Sequence, residues 1–375
     1  MPASQGTGDT GRPPRHGGTP FGLSTVGGRG NVPLAPPFAQ AAAKKAQLLA
    51  FKRSMASPPS HRNIFLTAPA QGEEAKEVDV DTRGVGSACT SRYRADFHQV
   101  RQLGQGSFST VFHVTGRLDG GEYAVKRLLK EVHAPAALRA ALTEVQALAA
   151  VGPHPWLVRY YTAWMEEHRL HIQLELCGPS MGSLYVQERR PLAPADIARL
   201  LACIASALTH LHAAGIAHMD VKPDNIFVAP PSARGEQPLP DGTGRVAYKL
   251  GDLGTACSLR SPVEQQGPGS RATVGVTEGD ARYVSAEVLN GWHGALDRAD
   301  VFALGATAYE LARGEPLPSE GDAYTALRNN DIPEVPALSA ALMQLLRRCM
   351  HAYPVQRPAA AAICAAMQEA GVSLQ

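Results

Sequence analysis

The stretch His218-Met219-Asp220-Val221-Lys222-Pro223-Asp224-Asn225 decides how the rest of this sequence is interpreted. It follows an apolar segment with helical periodicity and precedes a short β-branched run, which predicts a loop between a helix and a strand. An aspartate followed by a lysine two residues later and an asparagine five residues later is typical of a phosphoryl-transfer loop. In such a loop Asp220 accepts or orients the proton of a substrate hydroxyl, Lys222 meets the transferring phosphoryl group, and Asn225 binds Mg²⁺.

A second acidic motif, Gly251-Asp252-Leu253-Gly254, follows a predicted strand at residues 247–250. An Asp-x-Gly tripeptide, here Asp252 to Gly254, is often only a turn. Its position after the loop around Asp220 indicates a function, in which Asp252 holds the magnesium that bridges the ATP phosphates.

Two further motifs lie upstream, among predicted strands at residues 97–103, 109–115 and 121–128. The pair Gly104 and Gly106 lets backbone N–H groups approach phosphate oxygens without a Cβ in the way. Lys126 stands inside an apolar strand and must place its ammonium near a polar partner. ATP phosphates and Glu144, on the predicted helix 135–151, are the candidates.

The four motifs together resemble the signature set of the protein kinases, over roughly residues 97–368. Ser285-Ala286-Glu287 stands where that family has Ala-Pro-Glu, and Arg357 is the expected partner of Glu287. The order of strands first and helices later independently indicates an α+β protein of two lobes. The resemblance implies the bilobal protein-kinase fold, with an N-lobe of antiparallel sheet plus one helix at residues 91–176 and a mainly helical C-lobe at 177–368.

The resemblance also implies ATP and Mg²⁺ as cofactors and assigns the site residues. By position, Leu174 lies at the back of the adenine pocket, and the backbone near Glu175 and Cys177 binds adenine. The implied catalytic residues are Asp220, Lys222, Lys126 and Glu144; the nucleotide-binding residues are Leu103, Gly104, Gln105, Gly106, Ser107, Val111, Ala124, Lys126, Glu175 and Cys177; the metal-binding residues are Asn225 and Asp252.

Departures from the general pattern narrow the family. Met219 replaces the arginine that usually binds a phosphorylated residue of the activation loop. The catalytic loop, residues 218–225, resembles that of the Wee family of cell-cycle inhibitory kinases, in its plant and algal form. The same resemblance is carried by Asp-Leu-Gly at residues 252–254, the run Glu278-Gly279-Asp280-Ala281-Arg282-Tyr283, residues 314–318 (GEPLP) and the upstream residues 91–97 (SRYRADF). We expect Glu278 and Asp280 to supply fixed negative charge in place of an activating phosphate.

The Wee resemblance implies a substrate and a location. The expected substrate is a tyrosine in the glycine-rich loop of a cyclin-dependent kinase bound to its cyclin, whose phosphorylation restrains mitotic entry. The expected location is the nucleus, with the cytoplasm as the alternative, and the expected state is a monomer. Because Lys222 two residues after Asp220 is the serine/threonine pattern, the tyrosine assignment rests on the resemblance alone.

Composition sets the remaining expectations. Residues 1–90 are polar or rich in Gly and Pro with little periodicity, and they predict a disordered regulatory region; residues 369–375 are a tail. A net charge of +2 in 375 residues gives no sign of nucleic-acid or membrane binding. The six cysteines form no CxxC pair, which disfavours structural zinc. We expect no secretory signal, no membrane-spanning segment and no C-terminal membrane anchor.

Two alternatives remain at this point. One is a generic serine/threonine kinase of the translation-factor stress type, which shares a similar core and would differ in the phosphoamino acid it produces. The other is a pseudokinase scaffold, against which stands the presence of Lys126, Glu144, Asp220, Asn225 and Asp252.

Overall fold

The computed structural model describes residues 91–132, 135–188, 190–229, 246–259 and 279–372. The predicted disordered region 1–90, the Pro/Gly insertion at 230–245, the stretch 260–278 that includes Glu278, and the last residues of the tail lie outside the described residues.

The amino-terminal lobe is built on an antiparallel sheet with the strand order β1-β2-β3-β5-β4. Its strands and helices are β1 Phe97–Gln105, β2 Ser109–Gly116, β3 Glu122–Leu128, β4 Tyr160–Glu166 and β5 Arg169–Glu175, with α1 Arg92–Asp96 before β1 and α2 Pro135–Val151 between β3 and β4. β2 alternates between buried and half-buried residues along its whole length. This alternation is expected where one sheet face carries a core and the other faces a cleft.

An aromatic core covers one face of this sheet. Tyr93 of α1 packs with Phe97, Phe112 and Trp164 in one buried cluster. The Phe97 and Trp164 rings stack with centroids 6.0 Å apart. Since Val125 belongs to this cluster and side chains alternate along a strand, the neighbouring Ala124 and Lys126 point to the opposite face.

The carboxy-terminal lobe is mainly helical, and its largest helices form one extended core. Its elements are α3 Met181–Glu188, α4 Pro194–Ala213, β6 Ile216–Ala217, β7 Ile226–Val228, β8 Tyr248–Leu250, β9 Cys257–Ser258, α5 Ala286–Leu289, α6 Leu296–Arg313, α7 Gly321–Arg328, α8 Ala340–Cys349 and α9 Ala360–Glu369. In α6 the residues from Ala299 to Ala312 are all buried. A helix that is buried all round belongs to the centre of a domain.

Two pairs of very short strands position the loops that carry the predicted motifs. β6 pairs with β9, and β7 pairs with β8, both antiparallel. The loop around Asp220 therefore lies between β6 and β7, and the loop around Asp252 lies between β8 and β9. Pairing across these strands brings the two loops side by side.

This architecture confirms the predicted α+β bilobal fold. α2 has the predicted bounds, and β1 to β3 agree with prediction to within about two residues at each end. The sequence interpretation did not identify α1, β4, β6 or β9, and it gave no bounds for α3, α5, α7, α8 and α9. β6 and β9 contain two residues each, too few for any periodicity. Among the helices of the described residues, none is both long and apolar enough to cross a lipid bilayer.

Candidate active site

A buried aspartate of α6 holds the start of the catalytic loop. The carboxylate of Asp300 accepts hydrogen bonds from the backbone N–H groups of His218 and Met219, each at 2.8 Å. Asp300 is 1% exposed, so these charge-assisted bonds are shielded from water. His218 Nε2 lies 3.0 Å from the carbonyl oxygen of Gly251, so this histidine links the catalytic loop to the loop around Asp252.

The three polar residues of the loop converge on one point. Lys222 Nζ lies 2.7 Å from Asp220 Oδ2, and the Asn225 side-chain amide donates to the same oxygen at 2.8 Å. Met219 adopts φ +67°, a left-handed conformation that non-glycine residues rarely take. Such strain persists where the surroundings hold it in place, here through Asp300. The result is a carboxylate whose Oδ2 is held by two donors before any substrate arrives.

Lys126 joins the amino-terminal lobe to the second acidic motif. Its ammonium lies 2.7 Å from Glu144 Oε1 and 2.8 Å from Asp252 Oδ1. Burial opposes the charge on Lys126, but the two carboxylates raise its pKa above the ordinary value. Burial raises the pKa of Asp252 and the nearby ammonium lowers it, with a net lowering. The predicted partnership of Lys126 and Glu144 is confirmed, and Asp252 shares the same cation.

The two predicted metal-binding residues lie on adjacent loops, and within the described residues each keeps a side-chain oxygen without a hydrogen-bond donor. The N–H of Gly251 donates to the carbonyl of Asn225 at 2.9 Å, which ties the loops together. The Asn225 amide nitrogen is bonded to Asp220, so its amide oxygen remains as a ligand. Asp252 Oδ1 is bonded to Lys126 and to the N–H of Gly254, so Oδ2 remains. Two such oxygens fit Mg²⁺, which takes its other ligands from water and phosphates.

The predicted nucleotide-binding residues lie on β1, β2, β3 and β5 of the amino-terminal lobe, in the turn after β1, and just after β5. Gly104 pairs with Val111 across β1 and β2, and a Cβ on Gly104 would meet no heavy atom within 4 Å. The N–H of Gly106 donates to the Ser109 carbonyl at 2.8 Å and closes the turn. The other turn residues, Gln105 and Ser107, are exposed, as is Leu103, whereas Val111 is half-buried and Ala124 is buried.

The strand β5 leads to the segment that joins the lobes. Leu174 pairs with Ala124 and lines a pocket that is also lined by Glu144 and Asp252. The next residue, Glu175, forms an ion pair through Oε2 with Lys249 Nζ at 2.8 Å. Lys249 is 5% exposed and was not identified from the sequence, because its partner comes from the other lobe. Burial raises the pKa of the Cys177 thiol to about 12, which makes it an unreactive thiol.

The segment Gly279–Ser285, hereafter the acceptor segment, lies against the catalytic loop. The N–H of Asp280 donates to Asp220 Oδ1 at 3.2 Å. Arg282 binds the Asp280 carboxylate through two nitrogens, at 3.1 and 2.7 Å. Burial raises the pKa of Asp280, yet the Arg282 bonds lower it overall. The charge of Asp280, expected to stand in for a phosphate, is thus compensated by Arg282, a partner that the sequence interpretation did not name.

Two buried links hold the far end of the acceptor segment. The Tyr283 hydroxyl donates to Glu310 Oε2 at 2.8 Å, and burial raises the pKa of Glu310. Glu287 binds Arg357, with Nη2 2.9 Å from Oε2. The predicted pair of Glu287 and Arg357 is therefore confirmed. Glu310 was missed, since a glutamate inside a helix carries no local signal of a partner elsewhere.

Comparison with known proteins agrees with this geometry. The profile of the protein kinase domain matches residues 97–367. The chain therefore belongs to the protein kinase family.

Within that family the chain is similar to Wee1-like protein kinases. It is 37% identical to one of Oryza sativa subsp. japonica over 81% of this chain and 54% of the relative, and 39% identical to one of Arabidopsis thaliana over 76% and 51%. It is 36% identical to the Wee1-like protein kinase 2-A of Xenopus laevis over 73% and 49%. The chain spans about half the length of the curated relatives it matches. The predicted resemblance to the Wee family, including its plant form, is confirmed.

Proposed function

We propose that this protein uses Mg-ATP to phosphorylate an inhibitory tyrosine in the glycine-rich loop of a cyclin-dependent kinase bound to its cyclin, and so restrains mitotic entry. The observation that carries the proposal is the single connected network from Lys126 and Glu144 through Asp252, together with Asp220 and Asn225 on the adjacent loop. Every part that phosphoryl transfer requires is present in one cleft.

The residues of this network have distinct roles in the proposed reaction. Lys126 positions the phosphates, and Glu144 keeps the ammonium in place, because a buried cation needs a carboxylate partner. Asp220 orients the acceptor hydroxyl and receives its proton, while Lys222 balances the charge that develops on the transferred group. Asn225 and Asp252 would hold Mg²⁺, which would supply positive charge to neutralise the phosphates.

The choice of tyrosine and of a cyclin-dependent kinase is supported by similarity to the Wee1-like relatives. The acceptor segment contains Gly279-Asp280-Ala281-Arg282-Tyr283, which is all but the first residue of the run on which the resemblance depends. Its N–H at Asp280 bonds directly to the catalytic carboxylate of Asp220. The acceptor segment and the catalytic loop therefore form one surface that an acceptor residue would meet.

One observation favours a second candidate, a serine/threonine kinase of the translation-factor stress type. Lys222 lies two residues after Asp220 and bonds to it at 2.7 Å, which is the serine/threonine arrangement. The phosphoamino acid that the enzyme produces separates the two candidates.

The test is a transfer assay on a purified cyclin-dependent kinase–cyclin complex with Mg-ATP, read as phosphoamino acids and by mapping the modified peptide. The Asp220→Asn variant removes the proton acceptor, and Asp297→Asn is a matched control on the surface of α6. Phosphotyrosine in the target's glycine-rich loop, lost only in Asp220→Asn, supports the proposal. Phosphoserine or phosphothreonine alone would replace it with the second candidate, and no transfer by the wild type would favour a scaffold.

The proposed location is the nucleus, with the cytoplasm as the alternative, and the proposed state is a monomer. Fluorescence microscopy of the tagged full chain tests the first. Light scattering coupled to size exclusion, over a range of protein concentrations, tests the second.

A further inference from the structure

One arginine of α7 is buried against the acceptor segment. Arg328 is 5% exposed, and its Nη2 donates to the carbonyl oxygens of Ala281 at 2.6 Å and Arg282 at 3.2 Å. Its Nη1 donates to the Tyr324 carbonyl at 3.0 Å. Two of the three carbonyls that it binds therefore belong to the acceptor segment, 47 and 46 residues earlier in the chain.

The Tyr324 side chain completes the same arrangement. The guanidinium carbon of Arg328 lies 3.4 Å from the centre of the Tyr324 ring, within stacking distance. The Tyr324 hydroxyl donates to the Ala281 carbonyl at 3.2 Å. One carbonyl oxygen thus receives two donors from one helix, and we name Arg328 and Tyr324 together the α7 clamp.

The burial of the Arg328 guanidinium is unfavourable if its only role is to stabilise the fold. Within the described part of the chain no carboxylate bonds to Arg328, and its Nε is buried without a partner. Burial accordingly lowers the pKa of Arg328. A buried charge compensated only by carbonyls and a ring stabilises a fold less than an apolar side chain of similar size would. What the guanidinium supplies instead is a planar donor geometry that fixes two successive carbonyls.

The carbonyls that the clamp holds are next to the catalytic loop. Ala281 and Arg282 directly follow Asp280, whose N–H reaches Asp220 and whose carboxylate is bound by Arg282. A change in the position of Ala281 would therefore change the surface beside Asp220. We propose that Arg328, stacked on Tyr324, is a positioning residue that holds the acceptor segment in the shape that receives the protein substrate. This inference rests on the proposed function, since it assigns the substrate side of the same site.

The test uses the full chain with Arg328→Met and Arg328→Lys. Arg347→Met is the matched control, because Arg347 also donates to a backbone carbonyl, that of Ile332, and pairs with Glu334 on the surface. We expect both Arg328 variants to raise the KM for the protein substrate by about 10- to 100-fold, with the KM for ATP within about twofold of the wild type. Lysine should not restore function, because one ammonium does not reproduce the planar fork.

A second measurement does not depend on activity. Hydrogen–deuterium exchange should accelerate at the amides of Asp280, Arg282 and Tyr283 in Arg328→Met, because their hydrogen bonds lie within or beside the clamped segment. Exchange in α4 should stay unchanged in Arg328→Met. The control Arg347→Met should change exchange in neither α4 nor the acceptor segment.

The outcomes distinguish the inference from the proposed function. If the wild type phosphorylates no cyclin-dependent kinase, the proposed function fails, while faster exchange confined to the acceptor segment still supports the clamp. Unchanged exchange there overturns the clamp whatever the substrate is. Similar rises in the KM for ATP and the KM for the protein substrate, together with a lower melting temperature, would also overturn it, because they would show a general structural role.

Discussion

The backbone N–H of Asp280 donates a hydrogen bond to Oδ1 of Asp220, across 60 positions of sequence. The Asp220 carboxylate is thus held by three donors, which are this N–H, Lys222 and Asn225. The bond to Asp280 is made by the backbone, so its strength depends on the path of the acceptor segment and not on the side chain at position 280.

The close approach of the acceptor segment depends on Gly279. A Cβ at this position would lie 2.5 Å from Asp220 Oδ1 and 2.7 Å from the Met219 carbonyl oxygen. We expect Gly279→Ala to reduce kcat by about 10²-fold, because a displacement of this size misplaces the reacting groups. Steady-state kinetics and thermal unfolding, measured on the same preparations, check the prediction.

The control for Gly279→Ala is Gly291→Ala. Gly291 has φ +75°, and a Cβ there would meet nothing within 4 Å. This control should therefore lose about 1 kcal/mol of stability from backbone strain but keep its kcat. A Gly279→Ala enzyme with wild-type kcat would contradict the proposed contact.

Lys126 forms ion pairs with both Asp252 and Glu144, so we expect the Lys126→Met variant to position the ATP phosphates poorly. We expect turnover to fall by about 10²-fold or more, since the variant leaves two carboxylates without their cation and the phosphates without an anchor. Arg127→Met is the control on the same strand; that guanidinium stacks on Phe112 instead, 4.8 Å from the ring centre. Full turnover in Lys126→Met would refute the anchor role.

The pair of Glu287 and Arg357 predicts a pH-dependent stability. The Arg357 side chain is fully buried, so Glu287→Gln leaves it without a counter-charge and should cost about 3–5 kcal/mol of unfolding free energy at pH 7. Burial raises the pKa of Glu287, but bonds from Arg357 and Ser285 lower it below its ordinary value. The ionic stabilisation is therefore complete above the ordinary carboxyl pKa of about 4.3 and is lost as the pH falls through the folded value.

Urea unfolding of the wild type and Glu287→Gln at several pH values checks this prediction, and the gap between them should narrow at acid pH. Glu315→Gln removes a surface pair with Arg313 and should cost at most about 1 kcal/mol. A constant gap at every pH would mean that the pair contributes through packing and not through charge.

We expect a second pH effect on stability at His154, which is a basic group, unlike the acidic Glu287. Its Nδ1 accepts a hydrogen bond from the Trp156 N–H, and its ring stacks on His210 with centroids 4.8 Å apart. Burial, and the nearby His210, lower the pKa of His154 to about 4. The unfolded chain binds a proton on this imidazole below about pH 6.5, whereas the folded chain binds it only near pH 4, so the stability falls between these values.

The substitution His154→Asn should flatten this pH dependence, because the amide oxygen can accept the same hydrogen bond without titrating. Thermal unfolding from pH 7 to pH 4.5 measures the slope. The difference between the two proteins at pH 8, where the imidazole is neutral in either state, gives the contribution of contacts alone. An unchanged slope in the variant would exclude His154 as the source.

Much of the architecture could be predicted from the sequence because it is encoded in local patterns. The predicted strands at residues 97–103, 109–115 and 121–128 and the predicted helix 135–151 lie close to the observed bounds. Short elements such as β6 could not be predicted, because two residues carry no period and their pairing with β9 is made by the chain as a whole. Tertiary contacts, not propensity, keep such strands in place.

The sequence by itself determined which side chains are proposed to do the chemistry: Lys126, Glu144, Asp220, Asn225 and Asp252 carry ammonium, carboxylate and amide groups at a distinctive spacing. Only the tertiary structure decided how the substrate side is shaped. Asp280 reaches Asp220 through its N–H, and Arg328 reaches Ala281 and Arg282 through their carbonyls. Every non-proline residue has the same N–H and carbonyl groups, so the backbone side of such a bond leaves no trace in residue type, and the bond becomes visible only when the chain is folded.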